Sequence, residues 1–177
     1  MGVGGWSTVV LAGAAGFWLA SGTQRERPVL SVAPSSVVSR LEADVAARPG
    51  ESRALRDLAQ AYLDARSPGL AMSLIEHAPL PAQREPRVDH TYARALLDQG
   101  RAEEALAAEL RVLDACAASD GRGDPCDTWL IASATRRTDI LRELVQLGVE
   151  DAQAHPEASA IAYQNATREA RLVNFVE

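Results

Sequence analysis

Lysine is absent from this chain: all 18 basic side chains are arginine, a compositional mark of a GC-rich genome. Aromatic residues are scarce at 5%, and the 47% hydrophobic content is mostly alanine and leucine. β-Sheet cores draw on valine, isoleucine, tyrosine and phenylalanine, whereas small Ala/Leu faces suit close helix packing. A cationic surplus is missing too. The net charge of −6 argues against sequence-independent nucleic-acid binding, which needs a basic surface. There are only two cysteines, and the three histidines, His77, His90 and His155, are scattered. No second cysteine or histidine stands at ligand spacing, so no metal site is expected. No Gly-rich phosphate loop follows a strand pattern and no carboxylate pair stands out, so neither an enzyme, nor a cofactor, nor a small-molecule substrate is expected.

Charge is also missing from the first 22 residues, MGVGGWSTVVLAGAAGFWLASG, and first arrives at Arg25, Glu26 and Arg27. About 20 helical residues span a hydrocarbon layer. Trp6 and Trp18 stand near the two ends, where interfacial indoles are favoured. Thr8, Ala12, Gly16 and Ala20 form a small-residue face suited to packing on another membrane helix. An uncleaved transmembrane signal anchor over 1–22 is the expected reading. A cleavable signal peptide with Ala20-Ser21-Gly22 at its end is the alternative, opposed by an n-region without Arg or Lys. Residues 23–36, TQRERPVLSVAPSS, mix proline, serine and charge without periodicity and read as a flexible tether.

From residue 37 onward the pattern is helical. Ser35 or Ser36 can cap a helix through Val37, Leu41 and Val45, with capping-box spacing at Ser39 and Glu42, and Pro49-Gly50 stops it. The strongest signal is repetition. A shift of 34 residues lays Ala59 on Ala93, Leu63 on Leu97, Asp64 on Asp98 and Ala71 on Ala105. The stretch LRDLAQAYLDARSPGLAMSLIEHA resembles a tetratricopeptide repeat through Leu55, Leu58-Ala59, Tyr62, and Ala71 with Ile75. HTYARALLDQGRAEEALAAELRVL repeats the frame through Tyr92-Ala93, Leu96, Gly100 and Ala105. Asp89 stands where the second opening aromatic belongs, and Gln83 where the first terminal proline belongs.

The resemblance implies an all-α fold, a right-handed α-α superhelix of antiparallel helix pairs over 37–177, behind one membrane helix. Repeats are expected at about 52–85 and 86–119. A degenerate pair is expected over 128–148, turning at Arg136-Arg137-Thr138. A capping helix over 157–174 would face Ile161, Ala166, Ala170 and Val173 inward. Pairs that cannot bury their own faces must stack into an array with a concave groove, which binds peptides or protein segments. In such a groove the lining positions fall on Arg53, Arg56, Gln60, Arg87, His90 and Arg94. Arginine forks suit carboxylates, so an acidic or C-terminal segment is the expected occupant. Glu103, Glu104 and Glu109 read as a solvated opposite face.

Cys116 and Cys126 flank a polar insertion, CAASDGRGDPC, between the second and third pairs. A disulfide is the favoured reading and two unpaired thiols the alternative. The insertion contains Arg122-Gly123-Asp124, an adhesion tripeptide by letter, and Asn165-Ala166-Thr167 is a glycosylation sequon by letter. The cysteines point to an oxidising compartment, hence an inner-membrane protein with a periplasmic domain. Arg25 and Arg27 after the span point the other way, to a cytoplasmic domain. The expected function is a membrane-tethered adaptor binding a protein or peptide partner. The alternative is a structural or assembly subunit of a multiprotein membrane complex.

Overall fold

A computed structural model describes residues 36–119 and 126–173, with side chains described as far as residue 167. The apolar run 1–22, the tether up to residue 35 and the Arg122-Gly123-Asp124 tripeptide lie outside the described residues, as do the side chains of Ala170 and Val173. The described residues hold helices and no strand. They are α1 (Ser36–Ala47), α2 (Ser52–Asp64), α3 (Pro68–Glu76), α4 (Leu80–Gln83), α5 (Pro86–Asp98), α6 (Ala102–Ala118), α7 (Thr128–Gln146) and α8 (Pro156–Val173). Among these residues no helix is long and apolar enough to cross a membrane.

The repetition read in the sequence is present in the helix boundaries. Ser52 and Pro86, Asp64 and Asp98, Pro68 and Ala102 are corresponding ends, each one repeat length apart. Ala59, Ala71, Ala93 and Ala105, which the repeat superposes, are all fully buried. With no side chain beyond Cβ they let helix axes approach closely, while Leu55, Leu58, Ile75 and Leu96 fill the flanking space. Burying each of these larger side chains contributes roughly 1.5 to 3 kcal/mol. Apart from α3 and α4, each helix packs on the next in order; α4 packs on α2 and α5, and α5 also packs on both α2 and α3.

Three-residue connections fold α3 back on α2 and α6 back on α5. Both use one residue at positive φ: Arg66 (φ 55) in the first and Gly100 (φ 75) in the second. Gly100 is needed for space as well, since a Cβ there would lie 3.0 Å from that of Asp151. Proline and side-chain caps set the starts. Pro68 and Pro86 occupy the first turns of α3 and α5, and Glu85 accepts from Val88 N at 3.0 Å. Pro79 and Pro81 organise the short helix α4, which the sequence reading did not separate from the preceding turn.

Four expectations need correction. The turn expected at Arg136-Arg137-Thr138 does not exist, and 128–146 is one helix. Neither glycine nor proline interrupts it, and Leu130, Ala134, Thr138, Leu141 and Leu144 form one continuous buried stripe across the expected break. Ile161 faces solvent, about half exposed; α8 presents Ala162 inward in its place beside Ala166, which was expected there, and both small side chains permit close approach to α7. Ser39 lies inside α1, so its spacing to Glu42 is not a capping box. Glu109 is wholly buried instead of solvated.

Candidate functional site

The faces of α2, α5 and α7 enclose a cleft of about 540 Å³. Helical spacing brings each contribution to one face. Arg56, Asp57 and Gln60 come from α2; Arg87, His90, Thr91 and Arg94 from α5; Trp129, Leu130, Ser133 and Arg137 from α7. Five of the six residues expected from the sequence therefore line one concavity. Arg53 does not: its side chain is 81% exposed and only approaches Asp57, at 4.0 Å.

Charge in the cleft is more balanced than the sequence suggests. Arg56 Nη2 donates to Asp57 at 2.8 Å, Arg87 to Asp127 at 3.1 Å, and Arg94 lies 3.9 Å from Asp64. Four guanidiniums and one carboxylate form the lining itself; Glu109 is buried, while Asp64 and Asp127 are exposed. Arg56 and Arg87 are thus hydrogen-bonded to acids and still line the opening, while Arg94 only approaches one. Asp127 has a second task, accepting from Leu130 N at 2.7 Å as the N-cap of α7.

Beneath the lining lies a buried polar network joining three helices. Glu109, on α6, accepts from His90 Nδ1 at 2.8 Å and from Arg137 Nη1 at 2.7 Å. The same guanidinium donates to the His90 carbonyl at 2.9 Å. His90 Nε2 lies 3.1 Å from Ser133 Oγ. A carboxylate accepts only, so His90 Nδ1 is the donor to Glu109, and in that tautomer of the neutral ring Nε2 accepts from the serine hydroxyl. Trp129 packs edge-on to the His90 ring, centroids 6.1 Å apart, and remains 69% exposed at the cleft mouth.

Trp129, Ser133 and Arg137 are the members of this site that the repeat reading missed. The expected break at Arg136-Arg137-Thr138 had divided their helix. Glu109 had a legible signal, since the repeat lays it on Ile75, a core position. A second buried acid, Asp89, lies on the far side of α5, where it takes two bonds from Arg111, at 2.9 and 2.7 Å. Burial pushes the Asp89 carboxyl above its ordinary value despite the opposing pull of that guanidinium.

Cys116 and Cys126 form a disulfide, Cα atoms 5.4 Å apart, tying the end of α6 to the residue before Asp127. Cys116 packs in a small cluster with Val112, Leu130 and Ala134. Among the described residues no group of three or more His, Cys, Asp or Glu could hold a metal ion. No family model, curated protein or solved structure matches the chain.

Proposed function

We propose that this protein is a membrane-tethered adaptor of the tetratricopeptide type, which captures a carboxylate-bearing protein or peptide segment in the cleft between α2, α5 and α7. One observation carries the reading: an exposed tryptophan, Trp129, stands at the mouth of a concave surface lined by Arg56, Arg87, Arg94 and Arg137. Tryptophan and arginine are the side chains that most often dominate binding energy at protein interfaces. Arg56, Arg87 and Arg137 are already hydrogen-bonded to Asp57, Asp127 and Glu109, which lowers the side-chain entropy lost when a ligand docks. Three of the four helix ends of the two hairpins lie one repeat length apart, which supports a right-handed superhelix of stacked pairs. The disulfide supports an extracytoplasmic domain, and the charge-free run 1–22 supports an inner-membrane anchor.

The test uses the full chain in detergent micelles and an array of acidic peptides with free or amidated C-termini. Micromolar binding to a subset is expected, and Arg56→Glu with Arg94→Glu should abolish it while helicity and melting stay unchanged. Binding indifferent to peptide charge, or surviving the double substitution, removes the reading.

A second reading, an assembly subunit of a membrane complex, rests on the first helix. α1 buries no residue fully, and Val37 is about half exposed, so this end of the stack has apolar surface to offer a neighbour. A full chain that aggregates alone and is stabilised only within a complex favours that reading.

A further inference from the structure

We propose that the floor of the cleft is an acyl-transfer centre in which Ser133 is the nucleophile, His90 the general base, and Glu109 the residue that positions the base. This goes beyond peptide binding in the same cleft and stands on the hydrogen bonds that join Ser133, His90 and Glu109. Ser133 Oγ lies 3.1 Å from His90 Nε2, and His90 Nδ1 lies 2.8 Å from Glu109 Oε2. Both distances fall within the range that defines a nucleophile, its base and the group that orients the base. The three residues come from three helices, and the burial of His90 and Glu109 fixes the ring. Trp129 closes one edge of the imidazole, and Arg137 holds the second carboxylate oxygen. Ser133 and His90 both line the cleft, so an electrophile entering it meets the hydroxyl.

The substrate class that fits is an ester with a flat apolar group to lie against Trp129. Ser133 Oγ bonds to the carbonyl carbon as its proton passes to His90 Nε2. The carbonyl electron pair moves to oxygen, then returns as the bond to the leaving alkoxide breaks, and His90 returns the proton to it. Water then attacks the acyl-serine with His90 again as base, the carboxylic acid leaves, and Ser133 regains its proton. The hydroxyl lies in the interior of α7, where the backbone N–H groups serve the helix itself. The side chains left to meet a developing oxyanion are the guanidiniums that line the same cleft. Because the single Glu109 carboxylate faces both His90 and Arg137, it supports an imidazolium less strongly than an undivided partner would. Turnover is slow.

The test is a fluorophosphonate probe, whose P–F bond is replaced by a P–O bond to an activated serine with loss of fluoride, applied to the full chain in detergent. Mass spectrometry should find the adduct on the peptide containing Ser133, and neither Ser133→Ala nor heat-unfolded wild type should give it. His90→Gln should slow labelling by about a hundredfold per folded molecule, the loss expected of a missing general base. Glu109→Gln, which keeps the shape and drops the charge, should slow it less, and a rate equal to wild type removes Glu109 from the assignment. No adduct on Ser133, or equal labelling of the unfolded chain, overturns the proposal: the hydroxyl then only satisfies the second nitrogen of a buried histidine. Peptide binding and probe labelling are measured separately on the wild-type chain, so the failure of either proposal is visible apart from the other.

Discussion

Glu109 occupies in the second hairpin the place that Ile75 occupies in the first, and both are buried, at 0% and 3% exposure. An apolar core position has become a carboxylate. The structure compensates it with two donors from other helices, His90 and Arg137. Asp89 repeats the substitution on the opposite side, standing where the first hairpin has Leu55, and it is compensated by Arg111. The second hairpin thus carries two ionic groups at positions its neighbour fills with hydrocarbon.

Removing only the acid at the first of these sites should be costly. Glu109→Ala leaves His90 and Arg137 without their acceptor and is expected to lower unfolding stability by about 3 kcal/mol. Glu103→Ala, on an exposed part of the same helix, should leave the urea midpoint where it was. Equal midpoints for the two variants would mean that Glu109 is solvated in solution.

Asp89 gives a pH signature. Burial raises its pKa above the ordinary 3.8, so the folded chain keeps the proton at pH values where the unfolded chain has lost it. Arg111 pulls the other way and is itself pushed up by the pair, but for Asp89 the loss of water outweighs that attraction. The sign follows from linkage: stability contributed by this group is greatest below 3.8 and falls as pH rises through the raised value. Asp89→Asn keeps an acceptor for Arg111 without the charge. Its unfolding free energy relative to wild type should therefore climb through that window and then level off. A difference flat with pH contradicts the shift.

The disulfide should matter to both stability and cleft geometry. Its two cysteines are 10 residues apart, and closing a loop of that size contributes about 3 kcal/mol on the chain-entropy account. Reduction, or Cys126→Ser, should lower the urea midpoint accordingly. It should also loosen the start of α7, where Asp127 caps the helix and pairs with Arg87. Mass spectrometry without reductant on protein from the native cell should find the two cysteines joined. Two free thiols there would place the domain in a reducing compartment.

Trp129 should be the largest single contributor to peptide capture. Trp129→Ala is expected to weaken binding by about 2 kcal/mol, as anchoring indoles do. The arginine contacts are partly exposed and sensitive to salt, so raising ionic strength from 0.05 to 0.5 M in the assay buffer should weaken what remains. Isothermal titration with a single acidic peptide measures both. Loss of affinity with salt but none with Trp129→Ala would confine the site to its guanidiniums.

The helical class, the length of the repeat and the closest packing points were legible in the chain itself. Alanines at 59, 71, 93 and 105 encode close helix approach locally, and proline, glycine and polar turns mark most helix ends where no distant partner is needed. The cleft face of α2 and α5 was legible too, because helical spacing fixes which residues share a side. Tertiary structure decided the rest. Arg136-Arg137-Thr138 can form a turn or a helix by local propensity, and only the stripe that Leu130, Ala134, Thr138, Leu141 and Leu144 bury against α6 and α8 makes it a helix. That choice carries Trp129, Ser133 and Arg137 to the cleft and covers His90 and Glu109. Glutamate is solvated by its own chemistry, and it becomes a core residue only where donors from remote helices replace the water it gives up.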